Sequence, residues 1–243
     1  MKKKPAKNIS KYEPPESDAG DIVHLGVQGI LSFVPAASEL FEYFVKPPLE
    51  KRLENWRADV AQALRNLEKN QGIKLEMLQG DERFMTIVIQ ATAVAIRNHQ
   101  REKLAALKSA IMNSALNHEF GEDMEMIFIR FIDELTLTHF LLLKFLVENE
   151  SKLSNLKSYP EIYQLFLAET TTVVGQDEFR MLVSDIYTRG LIRLSQDIDD
   201  FEDIYQASAI SWDETKDEMP RLIVTGIAKK FLEFISYSHR AKL

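Results

Sequence analysis

Between Leu49 and Leu67 apolar side chains recur three and four positions apart, at Leu49, Leu53, Trp56, Val60, Ala63, Leu64 and Leu67. Lys51, Arg52, Glu54, Arg57, Asp59, Arg65 and Glu68 fill the positions between them. On a helix of 3.6 residues per turn this spacing makes one apolar stripe, so it predicts an amphipathic helix with Pro48 in its first turn and Gly72 as its stop. After a short turn through Leu75 and Leu78, Asp81 is placed to cap a second helix. That helix contains MTIVIQATAVAI, Met85 to Ile96, which carries no charge. A helix apolar nearly all round belongs at the centre of a bundle. The polar RNHQREK puts a break near Asn98, before Leu104, Leu107, Ala110, Ile111 and Ala115 resume the pattern. A longer apolar region follows Gly121 to Asp123, with Met126, Ile127, Phe131, Ile132 and Leu135 and then Phe140 to Leu146. Thr136 or Thr138 is placed to cap a further helix inside it. Short connections favour antiparallel neighbours, hence a helical bundle over residues 20–150.

Ahead of this pattern lies Ile22 to Ser38, IVHLGVQGILSFVPAAS, without one Asp, Glu, Lys or Arg. Its glycines Gly26 and Gly29 and its break at Pro35 mark a small-residue apolar helix that has to be covered by protein or by lipid. As a helix it would span about 25 Å, short of the roughly 30 Å hydrocarbon core of a bilayer. It is therefore read as a bundle helix that becomes membrane-active only conditionally. Val23, Gly26, Val27, Gly29, Ile30 and Phe33 form the candidate membrane or partner segment. Lys2, Lys3, Lys4, Lys7 and Lys11 precede it, but Glu13, Glu16, Asp18 and Asp21 intervene. Acidic residues and prolines there make residues 1–19 a disordered polar tail rather than a secretion signal.

Past residue 150 the rhythm changes. ENESKLSNLKSYP reads as a boundary. A helix opens at Pro160-Glu161, and a second covers about Asp177 to Arg189 with Phe179, Leu182, Val183 and Ile186 inward and Gly190 at its end. Leu191 to Leu194 and Arg221 to Val224 are candidate short strands, and Thr225 caps a last helix that should bury Ile227, Phe231, Leu232 and Phe234. Helix, helix, strand, acidic loop, strand, helix is the order of a winged-helix-like module over residues 151–243. The expected fold class is thus all-α, a multi-helix bundle followed by a small winged-helix-like module with at most two short strands.

Composition narrows the chemistry. With 243 residues, 45% apolar and 28% charged, the chain has the make-up of a soluble globular protein and enough length for a substantial core. It has no cysteine, which excludes disulfides, Cys-ligated zinc and thiol nucleophiles. A formal charge of -7 argues against a dedicated nucleic-acid binder. The winged-helix-like order would allow a helix in the major groove, but residues 197–218 hold nine acids against Lys216 alone, which repels a phosphate backbone.

No phosphate-cradle, dinucleotide-binding or nucleophile-elbow motif is present in the sequence. The five histidines, at 24, 99, 118, 139 and 239, are never four apart, so no helix face carries a His pair for a metal. His139, in an apolar run, reads as a hydrogen-bonded core residue. Asp197, Asp199, Asp200, Glu202 and Asp203 form an acidic cluster without the turn glycine and distal Glu of a calcium loop, so a solvated loop is the better reading. Glu102, Asp133 and Glu134 could be paired carboxylates, and buried or half-buried ion pairs with Arg97, Arg101 and Arg130 explain them as well. No catalytic residue, metal ligand or cofactor is assigned.

The stretch ERFMTIVIQATAVAIRNHQREKLAALKSAIMNSAL with RFIDELTLTHFLLLKFL resembles a family of bacterial all-helical proteins without known biochemical function. VSDIYTRGLIRL with IVTGIAKKFLEFI is similar to the C-terminal pattern of phage abortive-infection proteins of the Abi-alpha type. The resemblance covers residues 45–236 and implies a bacterial role in phage defence, without carrying over any active-site residue. The expectation is a non-enzymatic helical effector directed at a membrane or a partner. The alternative is a soluble adaptor or regulator whose C-terminal module binds protein, with DNA the lesser choice. Protein contact or self-association is the expected mode, in the cytoplasm or at the inner face of the membrane.

Overall fold

The computed structural model describes residues 45–116, 120–154, 156, 158–195 and 222–236. The tail 1–19, the apolar segment Ile22 to Ser38 with Val23, Gly26, Val27, Gly29, Ile30 and Phe33, and the acidic cluster from Asp197 to Asp203 lie outside them. The chain divides into two compact units, Met1–Lys51 and Arg52–Leu243. Among the described residues, both strands and every helix after the first belong to the second unit.

The amphipathic pattern after Pro48 forms α1 (Lys46–Gln71), which buries Trp56, Val60, Ala63 and Leu67 on one stripe. It stops where Gly72 adopts φ 69°, a left-handed conformation that costs glycine little, and its N–H closes on the Glu68 carbonyl at 2.9 Å. The short α2 (Leu75–Gln79) leads to α3 (Glu82–Arg97), whose first turn is capped by Asp81 accepting from Phe84 N–H at 3.1 Å. Asn98 terminates α3 where the polar break was expected, and α4 (Arg101–Leu116) follows. Next come α5 (Glu122–Glu134) and α6 (Leu137–Glu148), the latter capped by Thr136. Helices α3, α4 and α5 pack mutually.

Trp56 shows how α1 is pinned to the bundle: its ring is buried and its Nε1–H donates to Thr92 Oγ1 at 3.0 Å. Thr92→Val keeps the shape and removes the acceptor, leaving the indole N–H unsatisfied. It should cost about 1–3 kcal/mol, read from the shift of the urea midpoint at unchanged slope.

One expectation fails in an informative way. Met85 to Ile96 sits in the bundle, but it is not covered all round. Phe84, Ile87, Ala91, Val94 and Ala95 are buried, whereas Met85 and Ile89 are 38% and 52% exposed. Residues 85 and 89 are one turn apart and share the face that no described element covers sufficiently to bury.

The segment expected as a boundary contains a one-turn helix, α7 (Glu150–Leu153), with Leu153 buried. Then come α8 (Tyr159–Thr170), capped by Ser158, and α9 (Gln176–Thr188). Gly190, at φ 70°, closes α9 in a Schellman turn: its N–H meets the Tyr187 carbonyl at 2.9 Å and that of Leu191 meets Ile186 at 3.0 Å. Strands β1 (Ile192–Leu194) and β2 (Leu222–Val224) pair antiparallel, Ile192 opposite Val224. Thr225 caps α10 (Gly226–Ile235) by accepting from Ala228 N–H. The fold class is therefore all-α, a helical bundle followed by a small C-terminal module with two short strands.

The core runs through both parts. Helices α8 and α9 pack on α6, and α10 packs on α4 and α6. Phe231 and Phe234 of α10 are fully buried beside Phe128 of α5, with ring centroids 5.6 and 5.4 Å from it. Asn113 of α4 donates to the Glu233 and Phe234 carbonyls at 3.1 and 2.8 Å, tying the end of α10 to α4. Ile227, expected inside, is 40% exposed: it shares the face of Phe231 and Phe234, four and seven positions on, but lies in the first turn of α10, at the end of the stripe.

Candidate functional site

The densest polar constellation among the described residues is at the corner between α5 and α6. Leu135 leaves the helix in an extended conformation, and Thr136 (φ -78°, ψ 166°) becomes the N-cap of α6. Three residues on, His139 completes a capping box: its Nδ1 accepts from Thr136 N–H at 3.0 Å and lies 2.8 Å from Thr136 Oγ1. A backbone N–H can only donate, so Nδ1 is the unprotonated nitrogen and the ring proton sits on Nε2. Nε2 points at Asp185 of α9, 3.2 Å from Oδ2. The contact becomes an ion pair when the imidazole is protonated.

From Asp185 the chain of contacts returns to its start. Asp185 Oδ1 accepts from Arg189 Nε at 3.0 Å, and Arg189 Nη1 donates to Glu134, the last residue of α5, at 2.5 Å. Glu134, Arg189, Asp185, His139 and Thr136 thus form a closed polar ring that joins the α5–α6 corner to α9. Two cations flank it. Lys103 of α4, nearly buried, donates to the Asp133 carbonyl at 2.8 Å, and Arg97 of α3 meets the Asp133 carboxylate at 2.9 Å. The Arg189 guanidinium also lies 5.9 Å from the centre of the Phe131 ring.

The electrostatics follow from burial. His139 is only 5% exposed, and burial pushes its pKa below the usual histidine range. Asp185 opposes that shift, while Arg189 and Lys103 add to it. Lys103 is also held below the ordinary lysine range, by burial first, with Asp133 pulling the other way. For Arg189 burial works against the charge, but its bonds to Glu134 and Asp185 outweigh it and hold the pKa above the ordinary value.

A hydroxyl, an imidazole and a carboxylate in series could suggest nucleophilic catalysis. The geometry favours a cap. The lone pair a base would need is already taken by Thr136 N–H, and the ring is buried beneath it. A second polar node has the same structural character. Arg83 of α3 donates to Ser114 Oγ and O at 3.1 and 2.9 Å and pairs with Glu125 of α5, whose carboxylate also accepts from Ser114 Oγ at 3.0 Å. It fastens three helices to one another.

Among the sequence candidates, His139 is the hydrogen-bonded buried residue expected, and Thr136 the cap. Asp133 pairs with Arg97 at the surface, their side chains 34% and 61% exposed, and Glu134 pairs with Arg189, 55 positions away. Glu102 and Arg130 are exposed. Sequence reasoning missed Asp185, Arg189, Lys103, Arg83 and Glu125 as members of polar clusters. Only the Thr136-x-x-His139 spacing carried a local signal, because capping boxes have that period. Among the described residues no group of three or more His, Cys, Asp or Glu could hold a metal ion, and no helix is long and apolar enough to cross a membrane. In comparisons with known proteins, no family model matches the chain, and no curated protein or solved structure matches it significantly.

Proposed function

We propose that this is a non-enzymatic helical protein that works by contact with a partner, as an effector in bacterial phage defence. The observation that carries contact as the mode is the exposed face of α3, where Met85 and Ile89 stand in a twelve-residue run free of charge. Keeping apolar side chains in water forgoes about 25 cal/mol per Å² of burial, which a docking partner would recover. The role in defence rests on the resemblance carried by the α3–α6 and C-terminal sequence patterns. The uncharged segment at 22–38 behind a lysine tail makes an anionic membrane the other candidate surface.

A second reading, a soluble adaptor using its C-terminal module, draws on Val173 and Met181, which are 99% and 62% exposed in the α8–α9 region. One set of variants separates the two. Met85→Glu with Ile89→Lys should abolish protection of phage-challenged cells while leaving the circular dichroism spectrum and melting curve near those of the parent, since surface changes cost within about 0.5 kcal/mol. Val173→Ser with Met181→Gln should leave protection intact. The reverse pattern would transfer the function to the module, and full protection by both variants would sink the contact reading. Flotation with anionic vesicles, comparing the full chain with one lacking residues 1–46, tells membrane from protein as the surface contacted.

A further inference from the structure

The polar ring at the α5–α6 corner contains one group that changes charge near neutral pH, and that group occupies the acceptor position of a helix cap. The geometry points to a proton-sensitive joint: neutral His139 closes the α5–α6 corner by accepting from Thr136 N–H, and its protonation sets two donors face to face there and opens it. The joint is independent of the proposed function and rests on the arrangement of the ring.

Three observations support it. First, Thr136 N–H donates to His139 Nδ1 at 3.0 Å, so a proton placed on Nδ1 cancels that bond. The new N–H could turn to Thr136 Oγ1, 2.8 Å away, but the backbone donor would then face a cation. Second, the charges around the ring are mixed rather than uniformly negative. Asp185 and Arg189 come from α9, Lys103 from α4, and Glu134 and Asp133 from α5. The other helices on α6 meet it through aromatic rings, Phe166 of α8 on Phe145 and Phe231 of α10 on Phe140, while α7 follows its far end. The carboxylate that faces the imidazole, Asp185, already bonds Arg189. Third, burial holds the His139 pKa low against the pull of Asp185.

The direction of the effect follows from linkage. A folded-state pKa below the unfolded value means the unfolded chain takes up the proton more readily. The stabilisation is complete above the unfolded value of about 6.5 and is lost as the pH falls from there toward the folded value. The joint is therefore closed at neutral pH and weakened in mild acid.

The test uses the full chain. Nuclear magnetic resonance follows the His139 ring, and hydrogen exchange gives protection factors for the amides at the start of α6, between about pH 7.5 and 5. The ring should be the Nε2–H tautomer at the upper end and titrate below about 6.5. Protection of the Thr136 amide should fall across that same step. His139→Gln keeps the acceptor of a Thr-x-x-Gln capping box without a titrating group, so its protection should show no step. Asp185→Asn should move the His139 midpoint further down, because it removes the charge that favours the imidazolium. A ring that titrates at or above about 6.5 would overturn the joint. So would protection that stays level through the titration, or a step that persists in His139→Gln. If that variant does not fold, the ring titration, the parent's exchange profile and the Asp185→Asn shift still decide.

Discussion

Arg83→Met should destabilise the protein by about 3–5 kcal/mol, the range for breaking a buried ion pair by removing one partner. Glu125 is fully buried, and its carboxylate receives the Arg83 guanidinium together with the Ser114 hydroxyl. Methionine fills much of the space but returns no charge, so a carboxylate is left in a position that water does not reach. A lower urea midpoint at unchanged slope, followed by far-ultraviolet circular dichroism, gives the cost. The double variant Arg83→Met, Glu125→Leu separates pairing from packing. It should recover most of the loss, because replacing both ions with apolar groups is often near neutral. If Arg83→Met alone costs under about 1 kcal/mol, the node does not fasten the three helices.

Phe231→Ala should cost a similar amount, about 3–5 kcal/mol, through the cavity it leaves. The Phe231 ring is fully buried and lies 5.6 Å from Phe128, 5.6 Å from Phe131 and 5.8 Å from Phe140, which belong to α5 and α6. The cavity would therefore open where the C-terminal helix meets the bundle. Amide exchange should show α10 losing protection together with α4 and α6, the helices it packs on. Loss confined to α10 would mean that the aromatic cluster is not cooperative with the bundle.

The helices themselves were readable because their signals are local. Asp81 and Thr225 are legible as caps from their position before an apolar run, and each is the N-cap residue in the structure; between the two candidates Thr136 and Thr138, the structure selects Thr136. Gly72 and Gly190 were legible as stops for the same reason, since a left-handed residue ends a helix within one turn of the pattern it closes. The candidate strands at 191–194 and 221–224, legible as short apolar runs next to Gly190 and Thr225, form at Ile192–Leu194 and Leu222–Val224, although no residue in either run reveals its pairing partner.

The polar ring was legible only at one edge. Thr136 and His139 lie three residues apart, within the reach of a helix turn, and that spacing is visible in the sequence. Arg189 and Glu134 are separated by 55 positions and Arg83 and Glu125 by 42, distances at which periodicity says nothing. Each of these side chains reads by itself as a solvated charge. The exposed face of α3 failed to show for the converse reason: Met85 and Ile89 look like core residues because hydrophobicity records the tendency to be covered, not whether a neighbour is there to do it.

The sequence by itself determined the all-α class, the places where most helices begin and end, and the absence of cysteine chemistry, because backbone capping and helical period act over three or four residues. Tertiary structure decided which charges are paired, that the C-terminal helix shares its core with the bundle, and which apolar face is left to water. Those outcomes depend on which surfaces meet after the helices have formed, and contacts between residues far apart in the chain leave no local trace.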